Sequence, residues 1–425
     1  MPEGIRSLGC ERTRALRIRA HPELLSNLPL LRPDETLYSW CAHAHAWNGG
    51  GDPRATSVKL FGTSYAALCH DFPSKLIHLS SHYRQAGFDV RRLALHHTLL
   101  GYFLALQPAG MADEILRRVI GGSMPSIKMR LGITASRVGG HHPLKACSEC
   151  VNRDADAVGF AYWHVEHQYP STMACARHAR PLFIAWDPVT PVHRRGWLLP
   201  EGGLPWERIE IPVRDDRQLD QLIRLAEFSD RWAASEPAKF DPQRLAACYQ
   251  RGLRDRGLAT AGGSLRIKNL IGEIRQRYRG IEDITGFEAL NSITPDWAGL
   301  IGSVARRSPR HAHPLKHLLM IALVYDTWED FERSYRAENT SPVGHSEFVL
   351  EAQNLASDLA ALVRGTELSI SAAARRLGIS TTTATQIARR TGLTFTPRRK
   401  LIKGRRMQQG KRPLVSSTAV APEVM

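Results

Sequence analysis

The sequence has no apolar run long enough to cross a membrane. The longest one, LLMIALVY at 318–325, is far shorter than the roughly 20 residues that a spanning helix needs. The N-terminal stretch MPEGIRSLGCERTRALRIRA is basic and has no apolar core segment, so no secretory signal is expected. We therefore expect a cytoplasmic protein without a membrane partner, in a compartment where disulfides do not persist.

Several catalytic signatures are also missing. No GxxxxGK[ST] phosphate loop occurs, which argues against ATPase activity, and no GxSxG nucleophile motif occurs. The stretch HVEH at 164–167 does not have the HExxH spacing of zinc proteases. A nuclease or recombinase stays open as an alternative, because its metal-binding carboxylates can lie far apart in sequence.

Acidic residues are scarce relative to basic ones, 41 against 57, which gives a formal net charge of +16 over 425 residues. A strong positive balance attracts polyanions, of which nucleic acid is the commonest. The alternative is a basic surface that serves only solubility. The length predicts more than one domain.

Cysteine is scarce too, with seven in the chain, yet three of them lie with a histidine in two short pairs. Cys147 and Cys150 form C-x-x-C, and Cys175 and His178 form C-x-x-H, with 24 residues between the pairs. Two such turns direct four soft or borderline donors to one centre, which is the tetrahedral set that zinc prefers. Because all four positions are protein side chains, the spacing predicts a structural Zn²⁺ rather than a catalytic one.

Alternatives to this metal site remain at the level of sequence. A redox C-x-x-C would normally accompany a βαβ pattern, which is missing here, and a chance arrangement is also possible. A neighbouring histidine could replace His178; the candidates are His141, His142, His164 and His167. The other cysteines are scattered and are interpreted as buried or free thiols: Cys10, Cys41, Cys69 and Cys248.

Helical spacing dominates the rest of the chain. Pro33, Asp34 and Glu35 suit the first turn of a helix that continues to residue 47. The stretch 313–331 predicts one helix that is buried on most sides, and 256–280 predicts a turn followed by an amphipathic helix. The Pro- and Gly-rich stretch 189–208 predicts a linker.

These patterns predict a mostly α, multidomain fold with a small zinc-binding module and a C-terminal helix-turn-helix. The expected divisions are a loosely ordered N-terminus at 1–30, a helical N-terminal domain at 31–140, the zinc-binding module at 141–188, a second helical domain at 205–345, a helix-turn-helix domain at 346–395 and a basic disordered tail at 396–425.

The helix-turn-helix is predicted from SISAAARRLGISTTTATQIARRTGL at 369–393. Ser369 can cap the first helix, Gly378 allows a tight turn, and the second helix would enter the major groove of double-stranded DNA. The alternatives are a packing hairpin or a protein-binding version of the motif, with a basic tail that is only solvated. The predicted DNA-binding residues are Ser380, Thr381, Thr382, Thr385, Gln386, Arg389, Arg390, Arg398, Arg399 and Lys400.

Two motifs together resemble the TniQ/TnsD family. The first is LPLLRPDETLYSWCAHAHAWNG at 28–49, in which Pro33, Glu35, Ser39 and Trp40 approximate the family's opening segment, followed by LFGTS at 60–64. The second is CSEC…GFAYWHVEHQYPSTMACARH, which is similar to the family's knuckle. Downstream, RGLATAGGSLRIKNLIGEI and HPLKHLLMIALV look like the TnsD-type extension, so the resemblance covers roughly 28–335.

TniQ/TnsD proteins select insertion sites for bacterial transposons. The resemblance implies a non-catalytic, nucleoid-associated target-site selector that holds Zn²⁺ through Cys147, Cys150, Cys175 and His178. Its implied partners are double-stranded DNA, an AAA+ ATPase transposition regulator and, indirectly, a transposase. A zinc-containing helix-turn-helix transcription regulator and an adaptor docking on an RNA-guided CRISPR effector complex are the alternatives. The long C-terminal half favours direct DNA binding, and no second zinc site is visible.

Overall fold

The computed structural model shows two compact units, one ending at Asn339 and the other beginning at Thr340. No described helix is long and apolar enough to span a membrane. The described residues are 24–66, 70–84, 87–122, 125–138, 140–186, 196–200, 207–260, 263–292, 299–304, 312–338, 359–362, 369–376, 384–385 and 388–389.

The first helices surround an apolar core that contains Trp40 and Phe103, both essentially inaccessible to solvent. Side-chain caps set where helices begin: Thr36 accepts a hydrogen bond from the Ser39 amide at 3.1 Å, and Asp89 caps α4 in the same way. These helices are α1 (Leu37–Trp47), α2 (Pro53–Phe61), α3 (Leu76–His82), α4 (Val90–His96), α5 (Leu100–Leu104), α6 (Ala109–Gly121) and α7 (Ile127–Arg130).

Helix α1 begins later than the sequence predicts. Pro33, Asp34 and Glu35 precede the helix instead of forming its first turn, and Thr36 is the N-cap. Glu35 forms an antiparallel β-bridge with His164, a residue far along the chain. Although the pattern predicts a helix here, these residues are therefore not helical, because their backbone pairs with a distant segment.

Short strands frame the cysteine-rich part of the chain. An antiparallel sheet has the order β1-β4-β5, and β2 and β3 form a separate antiparallel pair. The elements are β1 (Lys145–Ala146), α8 (Ser148–Val158), α9 (Val165–Gln168), β2 (Ala174–Cys175), β3 (Arg180–Pro181), β4 (Phe183–Trp186) and β5 (Glu207–Glu210). Strand β5 starts inside the predicted linker 189–208, so the chain returns to the same sheet there.

Longer helices follow the sheet, with α14 almost entirely buried. The single helix predicted at 313–331 is in fact two, because α14 ends at Val324 and Thr327 caps α15 by accepting from the Asp330 amide at 3.1 Å. The elements are α10 (Asp216–Ala233), α11 (Pro242–Asp255), α12 (Ile267–Arg277), 3₁₀ turns at Ile281–Asp283 and Glu288–Ser292, α13 (Gly299–Val304), α14 (Pro314–Val324) and α15 (Trp328–Ala337).

Residues on both sides of the 187–206 stretch share one core. Trp232 of α10 donates its indole N–H to the Tyr102 carbonyl at 2.8 Å, and the Phe240 amide donates to the Ala105 carbonyl at 2.9 Å. The Tyr102 and Tyr169 rings stack with centroids 5.4 Å apart. Helices α5 and α10 therefore belong to the same packed body.

The second unit contains α16 (Ile370–Arg376) among its described residues. As predicted, Ser369 caps it: the Ala372 amide donates to the Ser369 hydroxyl at 3.4 Å. Three alanines of this unit are buried: Ala373, Ala384 and Ala388.

Candidate metal centre

Cys147, Cys150, Cys175 and His178 come together in what we call the knuckle segment, residues 145–181. Cys147 is the N-cap of α8 and Cys150 lies in its first turn, so one turn of helix presents both thiols. Cys175 ends β2, and His178 lies in the turn that leads to β3. The four ligand atoms all lie within 4.8 Å of one another.

Four of the six separations between these atoms match those of a tetrahedron. Cys150 Sγ is 3.8 Å from Cys175 Sγ, and His178 Nδ1 is 3.6, 3.3 and 3.6 Å from the sulfurs of Cys147, Cys150 and Cys175. A tetrahedral ion with bonds of about 2.3 Å to sulfur and 2.0–2.1 Å to nitrogen places two sulfurs about 3.8 Å apart and sulfur and nitrogen about 3.5 Å apart. The donor set could therefore hold a metal ion without rearrangement.

None of the neighbouring histidines belongs to the cluster, so the structure does not support any of them as the fourth ligand. His142 Nδ1 lies 3.3 Å from a carboxylate oxygen of Asp71, and His164 Nε2 lies 2.8 Å from Asp154. His141 and His167 are also outside the cluster. Among the residues that the structure describes, no second group of His, Cys, Asp or Glu is arranged in this way. Of the other cysteines, Cys41 and Cys248 are buried free thiols as predicted, and Cys10 and Cys69 lie outside the described residues.

A cluster of charges joins the knuckle segment to the residues before α1. Asp34 accepts from the Arg177 guanidinium at 2.8 Å and lies 3.1 Å from His164 Nδ1, while Arg177 also pairs with Glu166 at 3.0 Å. Burial opposes the charge on His164, but the interactions with Asp154 and Asp34 outweigh it and raise the pKa of His164 to about 9. Burial likewise opposes the charge on Asp34, but His164 and Arg177 hold its pKa well below the usual range.

Gln168 and Lys145 fasten β1 to the end of α9. The Gln168 side chain accepts from the Lys145 amide at 3.0 Å and donates to the carbonyls of Lys145 and His164, both at 2.8 Å. The buried Lys145 ammonium donates to the carbonyls of Tyr169 at 2.7 Å and Thr172 at 2.6 Å. Burial lowers the pKa of Lys145 to about 7. These bonds hold the strand that leads into the first ligand pair.

The opening segment, residues 28–49, docks directly on the knuckle segment. The Thr36 amide donates to the Trp163 carbonyl and the Val165 amide to the Asp34 carbonyl, both at 2.9 Å. The Trp163 amide donates to the Ser39 hydroxyl at 3.1 Å. The two motifs that carry the family resemblance are therefore two halves of one structural unit.

The predicted DNA-binding residues are only partly described. Thr385 is half-buried and Arg389 is exposed, and both lie in helical conformation. With only these two candidates described, the DNA-binding set remains a prediction. The remaining candidates lie outside the described residues: Ser380, Thr381, Thr382, Gln386, Arg390, Arg398, Arg399 and Lys400.

Sequence reasoning missed the charged partners of the knuckle segment. Asp34 and Arg177 are far apart in the chain, and neither belongs to a spacing motif that would link them. The available signal was the position of Arg177 between two ligands, where a tight turn holds its side chain beside the metal centre.

Comparison with known proteins places two family regions on this chain. The TniQ family model matches residues 28–182, which contain both the opening and the knuckle segments. The family described as Tn7-like transposition protein D matches residues 225–358. Transposon Tn7 transposition protein TnsD of Escherichia coli is 25% identical over 261 residues, which is 60% of this chain and 49% of that protein. The chain thus spans about half the length of this curated relative.

Proposed function

We propose that this chain, which carries a TniQ region and a TnsD-like region, is a target-site selector of a Tn7-like bacterial transposon. The observation that carries the proposal is the succession of a TniQ region and a TnsD-like region in one chain. In this role the protein recognises the insertion site on double-stranded DNA. It then recruits an AAA+ ATPase regulator, which brings the transposase.

The metal of this selector is a structural Zn²⁺. Three thiolates and one imidazole suit zinc, and the four protein donors leave no coordination position for a substrate. The ion fixes the turn at Cys175–His178, and with it Arg177, against the opening segment. The protein itself then does no chemistry on DNA.

Zinc content is measurable on the purified full-length protein by atomic emission. One zinc per chain is expected, and Cys150→Ser should lose it together with a large part of the thermal stability. Cys41→Ala, at a buried thiol outside the cluster, is the matched control and should keep the zinc. A metal-free Cys150→Ser protein with unchanged stability would contradict the structural role.

Direct DNA contacts are assigned to the C-terminal unit. The hydroxyl, amide and guanidinium groups at 380–390 are those that bind base edges, and Arg398, Arg399 and Lys400 suit the phosphate backbone. Arg389→Ala should cost roughly 1–3 kcal/mol of binding at the target site if this arginine contacts a guanine. An equal loss on every DNA sequence would instead identify a phosphate contact.

The whole proposal is tested in two steps. The protein is first mapped on its host genome, and its binding and pull-down are then measured with purified components. A selector occupies one asymmetric site, retains the AAA+ ATPase and leaves DNA uncut in the presence of Mg²⁺. Palindromic sites without transposition partners would indicate a transcription regulator, and cleavage would indicate a nuclease or recombinase. Occupancy that requires an RNA-guided effector complex would indicate the adaptor alternative.

A further inference from the structure

Helix α12 has one face in the core and one face in solvent. Leu270 and Ile274 are fully buried, as the amphipathic pattern predicts, and Tyr278 directly after the helix is buried with them. Ile271 completes the apolar side. The opposite side is exposed along the whole length of the helix, so it is available to a partner.

The exposed side carries a regular row of positions. Lys268, Gly272 and Arg275 are spaced i, i+4 and i+7, which places them on one line along the helix. Asn269, Glu273 and Gln276, also exposed and with the same spacing, form a second line beside the first. The first line therefore offers cations, and the second offers two amides that can donate and accept hydrogen bonds and one carboxylate that can accept them.

The surroundings of this face are strongly basic. Between residues 254 and 279 there are seven lysines and arginines against two acids, Asp255 and Glu273. Arg266 and Arg279, at the two ends of the helix, are exposed as well. This local excess matches the charge of a polyanion.

Gly272 leaves a gap in the middle of the row. A Cβ atom added there would have no other atom within 4 Å, so a partner can approach the helix backbone closely. Lys268 and Arg275 lie on either side of the gap, about 10 Å apart along the axis at 1.5 Å per residue. The major groove of DNA is about 12 Å wide between its phosphate borders.

We propose that α12 is a second DNA-contacting helix, which lies in the major groove with Lys268 and Arg275 on the bordering phosphates and Asn269 and Gln276 at the base edges. The inference rests on the proposed DNA-binding function and places part of it in the first compact unit. An acidic protein surface is the competing partner. The second line favours DNA, because Asn and Gln pair with adenine and Glu accepts from cytosine, whereas the exposed carboxylate of Glu273 would repel an acidic protein.

The test measures binding of the full-length protein to a 30-base-pair duplex of mixed sequence over a series of NaCl concentrations. Each lost phosphate contact makes the slope of log K against log salt less steep by about 0.9, so Lys268→Gln with Arg275→Gln should reduce it by about 1.8. Arg117→Gln with Arg118→Gln, an equal loss of charge on exposed residues of α6, should leave the slope unchanged.

A steric variant tests the same face without changing charge. Gly272→Leu has room to fold, as circular dichroism and zinc content would verify, and should weaken duplex binding about 10-fold by closing the gap. An unchanged slope in the α12 double variant, or an equal change in the α6 double variant, would overturn the inference. So would normal DNA binding combined with loss of ATPase binding, since the face would then dock protein. If the wild-type protein binds no duplex at low salt, the proposed function itself fails.

Discussion

Arg177 connects the metal centre to the opening segment through its hydrogen bond to Asp34 and its ion pair with Glu166. We predict that Arg177→Ala lowers the free energy of unfolding by about 1–2 kcal/mol, because Asp34 loses a charge-assisted bond in a partly buried site. Urea unfolding of the zinc-loaded protein measures this loss.

Arg180 is the matched control for this substitution. It is about as exposed as Arg177, at 44% against 41%, but its partner Glu149 is itself 49% exposed. Arg180→Ala should therefore cost less than about 0.5 kcal/mol, as surface ion pairs usually do. Equal losses of unfolding free energy in the two variants would show that the Asp34 contact stabilises the fold no more than a surface ion pair does.

His164 should make stability depend on pH. Its pKa rises from 6.5 to about 9 on folding, so its contribution is complete below pH 6.5 and disappears as pH rises through 9. The stability difference between wild type and His164→Gln should thus shrink by on the order of 2–3 kcal/mol between pH 6 and pH 10. Urea unfolding at both pH values checks it, and a difference that stays constant would refute the charged state of His164.

The clustering of Cys147, Cys150, Cys175 and His178 could be predicted from sequence because the spacing within each pair is local: two residues between ligands suffice to bring a pair together. The Asp34–Arg177 contact could not be predicted, because it depends on how two segments more than a hundred residues apart meet. The same holds for Lys145, whose burial is possible only because the carbonyls of Tyr169 and Thr172 converge on its ammonium.

Two helical glycines should respond oppositely to alanine. In α5, a Cβ on Gly101 would meet the carbonyl oxygens of Leu95 and Ala233, which are backbone atoms that cannot move aside. Gly101→Ala should cost about 2–3 kcal/mol through overpacking. Gly272→Ala in α12, where space is open, should stabilise by about 0.5–1 kcal/mol through helix propensity. Thermal unfolding, monitored by circular dichroism, measures both effects. A shift of the melting temperature in the same direction in both variants would contradict the packing of α5 against α10.

Helix existence was easier to predict than helix ends. The apolar spacing of Leu37 and Trp40 indicates α1, but the residues before it pair with the knuckle segment and cannot join the helix. In the same way, the long apolar pattern at 313–331 does not indicate that one helix ends and another begins. The second helix begins there because the Thr327 side chain caps it. Tertiary pairing and a single cap decide such boundaries.

At the scale of the molecule, the packing of α5 against α10 predicts that the two family regions unfold together. Fragments 1–186 and 207–339, each lacking one side of the shared core, should show no cooperative thermal transition. Fragment 1–339, which keeps the first compact unit whole, should melt cooperatively near the temperature of the full chain. Calorimetry distinguishes these outcomes, and a cooperative, zinc-loaded fragment 1–186 would show that the TniQ region is independent.

The mostly helical fold of the described residues confirms the class that the sequence predicts, since periodicity of 3.6 residues is a strong local signal. The helix-turn-helix remains a prediction. The parts of it that the structure describes are α16 with its Ser369 cap and the helical residues 384–385 and 388–389. The strands around the knuckle segment were harder to predict, because two-residue strands such as β1 carry no alternating pattern.

The bridge between Glu35 and His164 also constrains how the protein is made. At a translation rate of about 5–20 residues per second, the ribosome needs on the order of 10 seconds after synthesising one partner before the other emerges. Throughout that interval Glu35 lacks the β-bridge partner that His164 later supplies. Under the proposal that Cys175 and His178 bind a metal, a shortage of that metal would prolong the wait, because Arg177, which lies between them, pairs with Glu166 close to His164. Nascent chains would then be exposed to proteases and chaperones.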